Sequence, residues 1–216
     1  MLLLQLFLFL FLNVGEIAPA KVSAPSKISE PVIEPEEILY KELLLEGRLS
    51  YDVFTKAMKG VDTYHPEKKF VTIADFSKAS SEKRLFIIDL DNRKLVLNTF
   101  VAHGKNSGSL MATSFSNKPQ SFMSSPGFYL VNDVIQSPKH GEALLLEGLE
   151  KGINDNARKR EIIIHGAAYV CEDFIKNTGS LGRSYGCPAV PVAEMPKVRQ
   201  YLAGGSLLFI FSPAYQ

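Results

Sequence analysis

Two short pieces of this 216-residue chain carry residues able to do covalent chemistry. Glu161-Ile162-Ile163-Ile164-His165-Gly166 is an apolar run that delivers a histidine onto a glycine. Gly182-Arg183-Ser184-Tyr185-Gly186-Cys187-Pro188-Ala189-Val190 is a glycine-punctuated loop that carries a cysteine. In each, a strand-like run meets a turn, where side chains are held firmly yet stay reachable. A thiol attacks an acyl carbon as thiolate, and an imidazole within hydrogen-bond reach serves first as base and then as acid. The oxyanion that follows needs convergent backbone N–H donors. Tyr185 and Gly186 are the expected donors, because Gly186 lets the chain turn tightly before the nucleophile. Pro188 fixes its own φ and stiffens the residue after the sulfur. The plain alternative makes Cys187 a small core residue, but Gly, Ser, Arg and Tyr are poor core neighbours.

Other candidates weigh less. His103 lies in His103-Gly104-Lys105-Asn106-Ser107-Gly108, a loop that could border a cleft, with an ordinary hydrogen-bonded loop histidine as the equal alternative. A phosphate cradle there lacks the Lys-Ser/Thr that opens a helix. His140-Gly141 is read as a solvated loop ahead of a cleft rim. A metal site from His103, His140, His165 and a cysteine lacks short paired spacings, so no metal and no cofactor are expected. Cys171 is the second thiol: a packing residue in the main reading, a disulfide partner that would silence Cys187 in the lesser one.

His165-Gly166 followed by Ser184-Tyr185-Gly186-Cys187 resembles the signature of the YkuD-type L,D-transpeptidases. The longer run Gly182 to Val190 resembles the murein L,D-transpeptidase catalytic domain branch, GRSxGCPA. Val101 to Gly108, Phe115-Ser116-Asn117, Ser124 to Tyr129 and Leu146 to Asp155 agree with it, so the likeness runs from about Phe70 to Pro213. It implies a β-sandwich with a cleft at one end, Cys187 as nucleophile and His165 as base. The carbonyl of Gly166, rather than Glu172 or Asp173, would orient the imidazole. The broader family usually carries an arginine two places after the cysteine; here Ala189 stands there, and Arg183 is the candidate for its work. Ser184 and His103 join Arg183 as expected substrate contacts. Tyr185 stands where many relatives carry histidine.

The implied activity is acyl transfer on peptidoglycan stem peptides through a Cys187 thioester, with an amine of a neighbouring stem or a wall-linked protein as acceptor. The alternatives are an L,D-carboxypeptidase with water as acceptor, and a catalytically silent peptidoglycan-binding module. A thiol-disulfide protein using Cys171 and Cys187 lacks the Cys-x-x-Cys pairing.

The positioning elements follow from pattern. Hydrophobic content of 46% suffices for one core, and a formal charge of +1 without a basic run argues against a nucleic-acid surface. Residues 1–20 read as a signal peptide, apolar from Leu2 to Leu12 with Ala18-Pro19-Ala20 before Lys21; this places the protein outside the cytoplasm, in the periplasm or cell envelope of a bacterium. Residues 21–35, with Pro25, Pro31 and Pro35, read as a disordered tether. Residues 36–66 form a helical brace: one helix over Glu36 to Glu46 stopped by Gly47, and a second capped by Ser50 and ended by Gly60. Residues 67–216 form the catalytic domain. Strands are expected at Phe70–Phe76, Leu85–Leu90, Leu95–Val101, Gly127–Val131, Ala143–Leu146, Glu161–Ile164 and Ser206–Phe211, with a helix at Val192–Leu202. The fold class is mainly β, a sandwich with short N-terminal helices.

Overall fold

The computed structural model describes residues 34–215; the expected leader, and the tether apart from its last two residues, lie outside them. In chain order the elements are helices α1 (Pro35–Glu42) and α2 (Tyr51–Tyr64), then strands β1 (Phe70–Asp75), β2 (Leu85–Asp89), β3 (Lys94–Thr99), β4 (Gly127–Ser137), β5 (Gly141–Gly148) and β6 (Ile163–Gly166). Helix α3 (Glu172–Thr178), strand β7 (Ala189–Val190), helix α4 (Met195–Leu202) and strand β8 (Ser206–Phe211) complete the domain. All the strands join one sheet in the order β3-β2-β1-β8-β4-β5-β6-β7. Beyond β3 the chain reaches the far edge, where Ala102 and Ala189 exchange backbone hydrogen bonds of 2.8 and 3.3 Å. The mainly β fold with N-terminal helices is therefore as expected, and its layers come from one sheet curled nearly shut.

Period-two alternation explains the packing. Val71 and Ile73, Phe86 and Ile88, and Leu207, Phe209 and Phe211 face outward onto Tyr40, Val53, Phe54 and Ala57 of the two helices. Ala74, Leu85, Ile87, Leu208 and Ile210 face inward with Tyr129, Leu144, Leu146, Ile164 and Val198. Because both faces are covered, β1, β2 and β8 are predominantly apolar, broken only by Thr72 inside β1 and by Asp75, Asp89 and Ser206 at strand ends. Removing such a side chain costs about 2–5 kcal/mol, through lost transfer free energy plus a cavity.

Four elements differ from the reading above. Helix α1 ends at Glu42, short of Glu46, in a series of turns where Leu44 takes a positive φ of 52°. Helix α2 starts as expected, Ser50 Oγ accepting from the Val53 N–H at 3.2 Å, but continues through Gly60 to Tyr64. Gly60 is there for clearance: a Cβ would sit 2.0 Å from Cε1 of Phe128. Strand β4 runs on to Ser137, past a register shift between Val131 and Val134, so that it and β5 project as a long hairpin. Its tip, Pro138-Lys139-His140, is a three-residue loop closed by Gly141 at φ 70°. Helix α3 was not foreseen; the Cys171 sulfur caps it, accepting from the Phe174 N–H at 3.4 Å.

Candidate active site

The apolar run Ile162-Ile163-Ile164 fills the core and leaves His165 and Gly166 at the end of β6. Strand β7 lies parallel beside it, with His165 opposite Ala189 and Gly166 opposite Val190. Cys187, two residues before Ala189, is thereby brought to the same end of the sheet as His165. The two side chains line one hollow of about 300 Å³, together with Lys139, His140, Tyr169, Arg183, Ser184 and Tyr185. Among the described residues no carboxylate borders it, whereas Lys139 and Arg183 do.

His165 Nδ1 lies 3.0 Å from the Gly166 carbonyl oxygen. That contact requires Nδ1–H as donor and leaves Nε2 as the acceptor a base needs. Glu172 and Asp173 are exposed in the first turn of α3 and neither bonds the ring. The imidazole is 1% exposed. Across its face lies His140, ring centroids 3.7 Å apart and planes inclined by 25°. Sequence reasoning placed His140 in a solvated loop; the hairpin tip carries it onto the base instead. Burial pushes the His165 pKa down, the Gly166 carbonyl opposes this, and His140 adds a further lowering.

The Cys187 thiol is half-buried, its Sγ 3.8 Å from the Glu161 carbonyl oxygen. Burial pushes its pKa up, while the Ile163 N–H, the Arg160 charge and its own N–H pull the other way. With the thiol raised and the imidazole lowered, the resting pair at neutral pH is uncharged, and the proton moves when attack begins. Arg160 donates to the Ser116 carbonyl and the Ser125 hydroxyl, both at 2.9 Å, to the Ser121 hydroxyl at 3.4 Å and to the Met123 carbonyl. None of these partners is an anion, so its charge remains available to the sulfur.

The loop before the nucleophile is closed by its own serine. Ser184 Oγ donates to the Cys187 carbonyl at 2.5 Å and accepts the Gly186 N–H at 3.1 Å. That corrects two expectations: the Ser184 hydroxyl is occupied inside the loop, and so is the Gly186 N–H. The N–H groups of Tyr185 and Cys187 have no carbonyl or carboxylate acceptor among the described residues, and they are the better oxyanion donors. Tyr185 itself projects outward at 64% exposure, its ring tilted against Phe122 at 4.9 Å.

His103 is also placed differently from expectation. It is fully buried behind the loop, receiving an Arg84 Nη2–H on Nδ1 at 2.8 Å, with Nε2 3.3 Å from the Gly108 carbonyl oxygen. Burial and the Arg84 guanidinium push its pKa down to about 4. It cannot touch a substrate; its carbonyl oxygen accepts the Ser184 N–H at 3.0 Å and so braces the nucleophile loop. Arg84, fully buried, holds this wall through two donations to the Val101 carbonyl, at 3.1 and 2.9 Å. Arg183 is exposed at the rim and donates to the Gly108 carbonyl at 3.0 Å. Cys171 and Cys187 are both free thiols.

Arg84, Arg160, Lys139 and Tyr169 are the site residues that sequence reasoning missed, and for His140 it ranked the solvated loop ahead of the cleft rim. The turn around His140-Gly141 was readable. The direction in which a bulged hairpin bends was not.

The site is thus a thiol and a buried imidazole at adjoining strand ends of a β domain, behind a cationic rim. The L,D-transpeptidase catalytic domain model matches residues 45–211, and the chain belongs to that family. Among solved structures it is similar to an L,D-transpeptidase from Mycobacterium smegmatis (11% identity, 67% of this chain and 59% of that one, TM-score 0.41). It is also similar to one from Stackebrandtia nassauensis (15%, 82% and 76%, TM-score 0.41) and one from Xylanimonas cellulosilytica (12%, 72% and 69%, TM-score 0.38). The chain thus spans less than two thirds of the Mycobacterium smegmatis protein. No curated protein matches the sequence.

Proposed function

We propose that the protein is a cysteine acyltransferase that carries out L,D-transpeptidation on peptidoglycan stem peptides. The observation that carries the reading is the pairing of Cys187 and His165 in one hollow, with His165 Nδ1 committed to Gly166 and Nε2 left as acceptor. His165 takes the thiol proton as the sulfur attacks the carbonyl of the L-centre that precedes a terminal D-amino acid. The N–H groups of Tyr185 and Cys187 receive the oxyanion. Collapse breaks the C–N bond, and His165 passes its proton to the departing amine, leaving a thioester. An acceptor amine then attacks the thioester, a new C–N bond forms, and the Cys187 thiol is regenerated. Lys139 and Arg183 at the rim suit the free carboxylate of the terminal residue.

Export to the periplasm or cell envelope belongs to the same proposal, because the substrate is found there and the leader at 1–20 has the required pattern. The test is the intact mass of the purified protein after exposure to a carbapenem, a β-lactam acyl donor. An adduct on Cys187 that is absent in Cys187→Ala supports the reading. A free, reduced Cys187 that takes no adduct refutes it. Incubation with a tetrapeptide stem, with and without an acceptor stem, then separates transfer from hydrolysis by the mass of the product.

A further inference from the structure

Among the described residues, the His140–His165 stack is a feature the proposed chemistry leaves unused. His140 is not adjacent to the base in sequence. It arrives from the tip of the β4–β5 hairpin, whose second strand pairs with β6 so that Ala143 lies opposite His165. The three-residue loop and the positive φ of Gly141 aim His140 back over the ring, giving centroids 3.7 Å apart. The base is nearly sealed from water while the ring covering it is exposed.

We propose that His140 is a positioning residue for the acylation of Cys187, holding the His165 imidazole in plane from its outer face. The inference rests on the acyl-transfer reading above. The Gly166 carbonyl holds the His165 ring by Nδ1 alone, and a rotation of the ring about its Cβ–Cγ bond would break that hydrogen bond. A flat ring stacked on the imidazole stops that rotation and keeps Nε2 aimed into the hollow. Stacking is well suited to this, because a neutral imidazole is an undemanding partner both for a neutral ring and for the imidazolium that forms during attack.

The surroundings set the response to pH. Facing the two rings are Cys187, Tyr185 and Arg183 from the nucleophile loop, Tyr169 after β6 and Lys139 on the hairpin. Glu142 borders the adjoining hollow with His140 and pairs with Arg199 at 3.1 Å. Burial and Lys139 push the His140 pKa down, so it is neutral at pH 7 and takes a proton only in acid. Its cover keeps water off His165, and its charge, once present, opposes a second charge beside it. Both effects hold the base in its unprotonated form to lower pH.

The experiment measures the rate of carbapenem acylation of Cys187 against pH for the whole protein and for His140→Ala and His140→Phe, alongside the NMR titration of His165. His140→Ala is expected to slow acylation on the order of tenfold at neutral pH, the worth of one aromatic pair, and to move the acid limb to higher pH. His140→Phe keeps the stack without the charge; it should restore most of the neutral rate, with an acid limb between the other two. Should His140→Ala fail to fold, the Phe variant still reads the charge separately from the stack. Unchanged rate and unchanged His165 titration in both variants would overturn the proposal, as would a rate loss without any shift of the acid limb, which is what a merely structural residue would give. If the wild type forms no adduct, the acyl-transfer reading fails, while the His165 titration still reports whether the stack holds the ring.

Discussion

Gly104 tests how tightly the nucleophile loop is held. Its backbone, φ −67° and ψ 143°, is one that any residue adopts, so Gly104→Ala adds no dihedral strain. On unfolded-state entropy alone, alanine would stabilise the fold by about 0.4–1 kcal/mol. The added Cβ decides the sign. It would stand 2.6 Å from the Phe122 carbonyl oxygen, 2.9 Å from Cα of Gly186 and 2.9 Å from the Ser124 nitrogen. All three are backbone atoms, two from the 122–124 stretch and one from the nucleophile loop, so no rotamer relieves the contact. Ordinary contact begins at 3.4 Å, which asks Gly186 for a shift of 3.4 − 2.9 = 0.5 Å and Phe122 for 3.4 − 2.6 = 0.8 Å. Overpacking of this kind costs about 1–3 kcal/mol, which outweighs the entropy gain and leaves a net loss of about 1–2 kcal/mol. Gly186 adjoins the nucleophile, and a misplacement of about half an ångström there should slow acylation about tenfold. The assays are the urea midpoint and the mass-resolved rate of carbapenem adduct formation. Wild-type stability together with a wild-type rate would refute the argument that this glycine sets the position of Cys187.

Arg160→Met removes four donations in a half-buried place, for a loss of about 2–3 kcal/mol in urea unfolding. It also removes a cation that favours the thiolate, so iodoacetamide should alkylate Cys187 more slowly at neutral pH; an unchanged pH profile would mean the guanidinium does not act on the sulfur. His103 is held at about 4 against an ordinary 6.5, so the unfolded chain takes the proton first as pH falls. Its contribution is complete above about pH 6.5 and is lost between there and about pH 4, on the order of 3 kcal/mol in all. The fall in urea midpoint between pH 7 and 5 should accordingly be smaller in His103→Asn than in the wild type, and equal falls would contradict the assignment. Cys171→Ser exchanges a sulfur cap for a better hydroxyl acceptor on α3, so stability should hold or rise slightly and acylation should be unchanged. A lost adduct would mean that Cys171 takes part after all.

The glycine-punctuated loop that carries Cys187 and the strand that ends on His165 were legible in the sequence because their pattern is local. Glycines, a thiol and a histidine at strand ends state their own constraint. The strands buried on both faces were also visible, as β-rich runs with turns between them. What escaped depended on long-range closure. Gly60 looked like a helix stop, because the ring of Phe128 that needs its space lies far along the chain. His103 looked like a rim residue, because nothing near it in sequence announces Arg84. His140 looked solvated, because a bulge between Val131 and Val134 redirects the hairpin that carries it. Gly186 was expected to offer its N–H outward, and only the folded loop shows Ser184 taking it.

The place of β8 in the sheet bears on when the protein becomes active. It lies between β1, which it meets in parallel, and β4, yet it is translated after the other seven strands. Until it arrives, the sheet is two fragments and the helices have half a surface to cover. Contacts this distant in sequence form slowly, since the entropy of closing the long loop must be met before they contribute. Cys187 and His165 are both translated before β8, yet the framework that brings them together awaits its insertion. An incomplete chain would carry the thiol without a formed site, so reactivity toward acyl donors should appear only on completion of the fold.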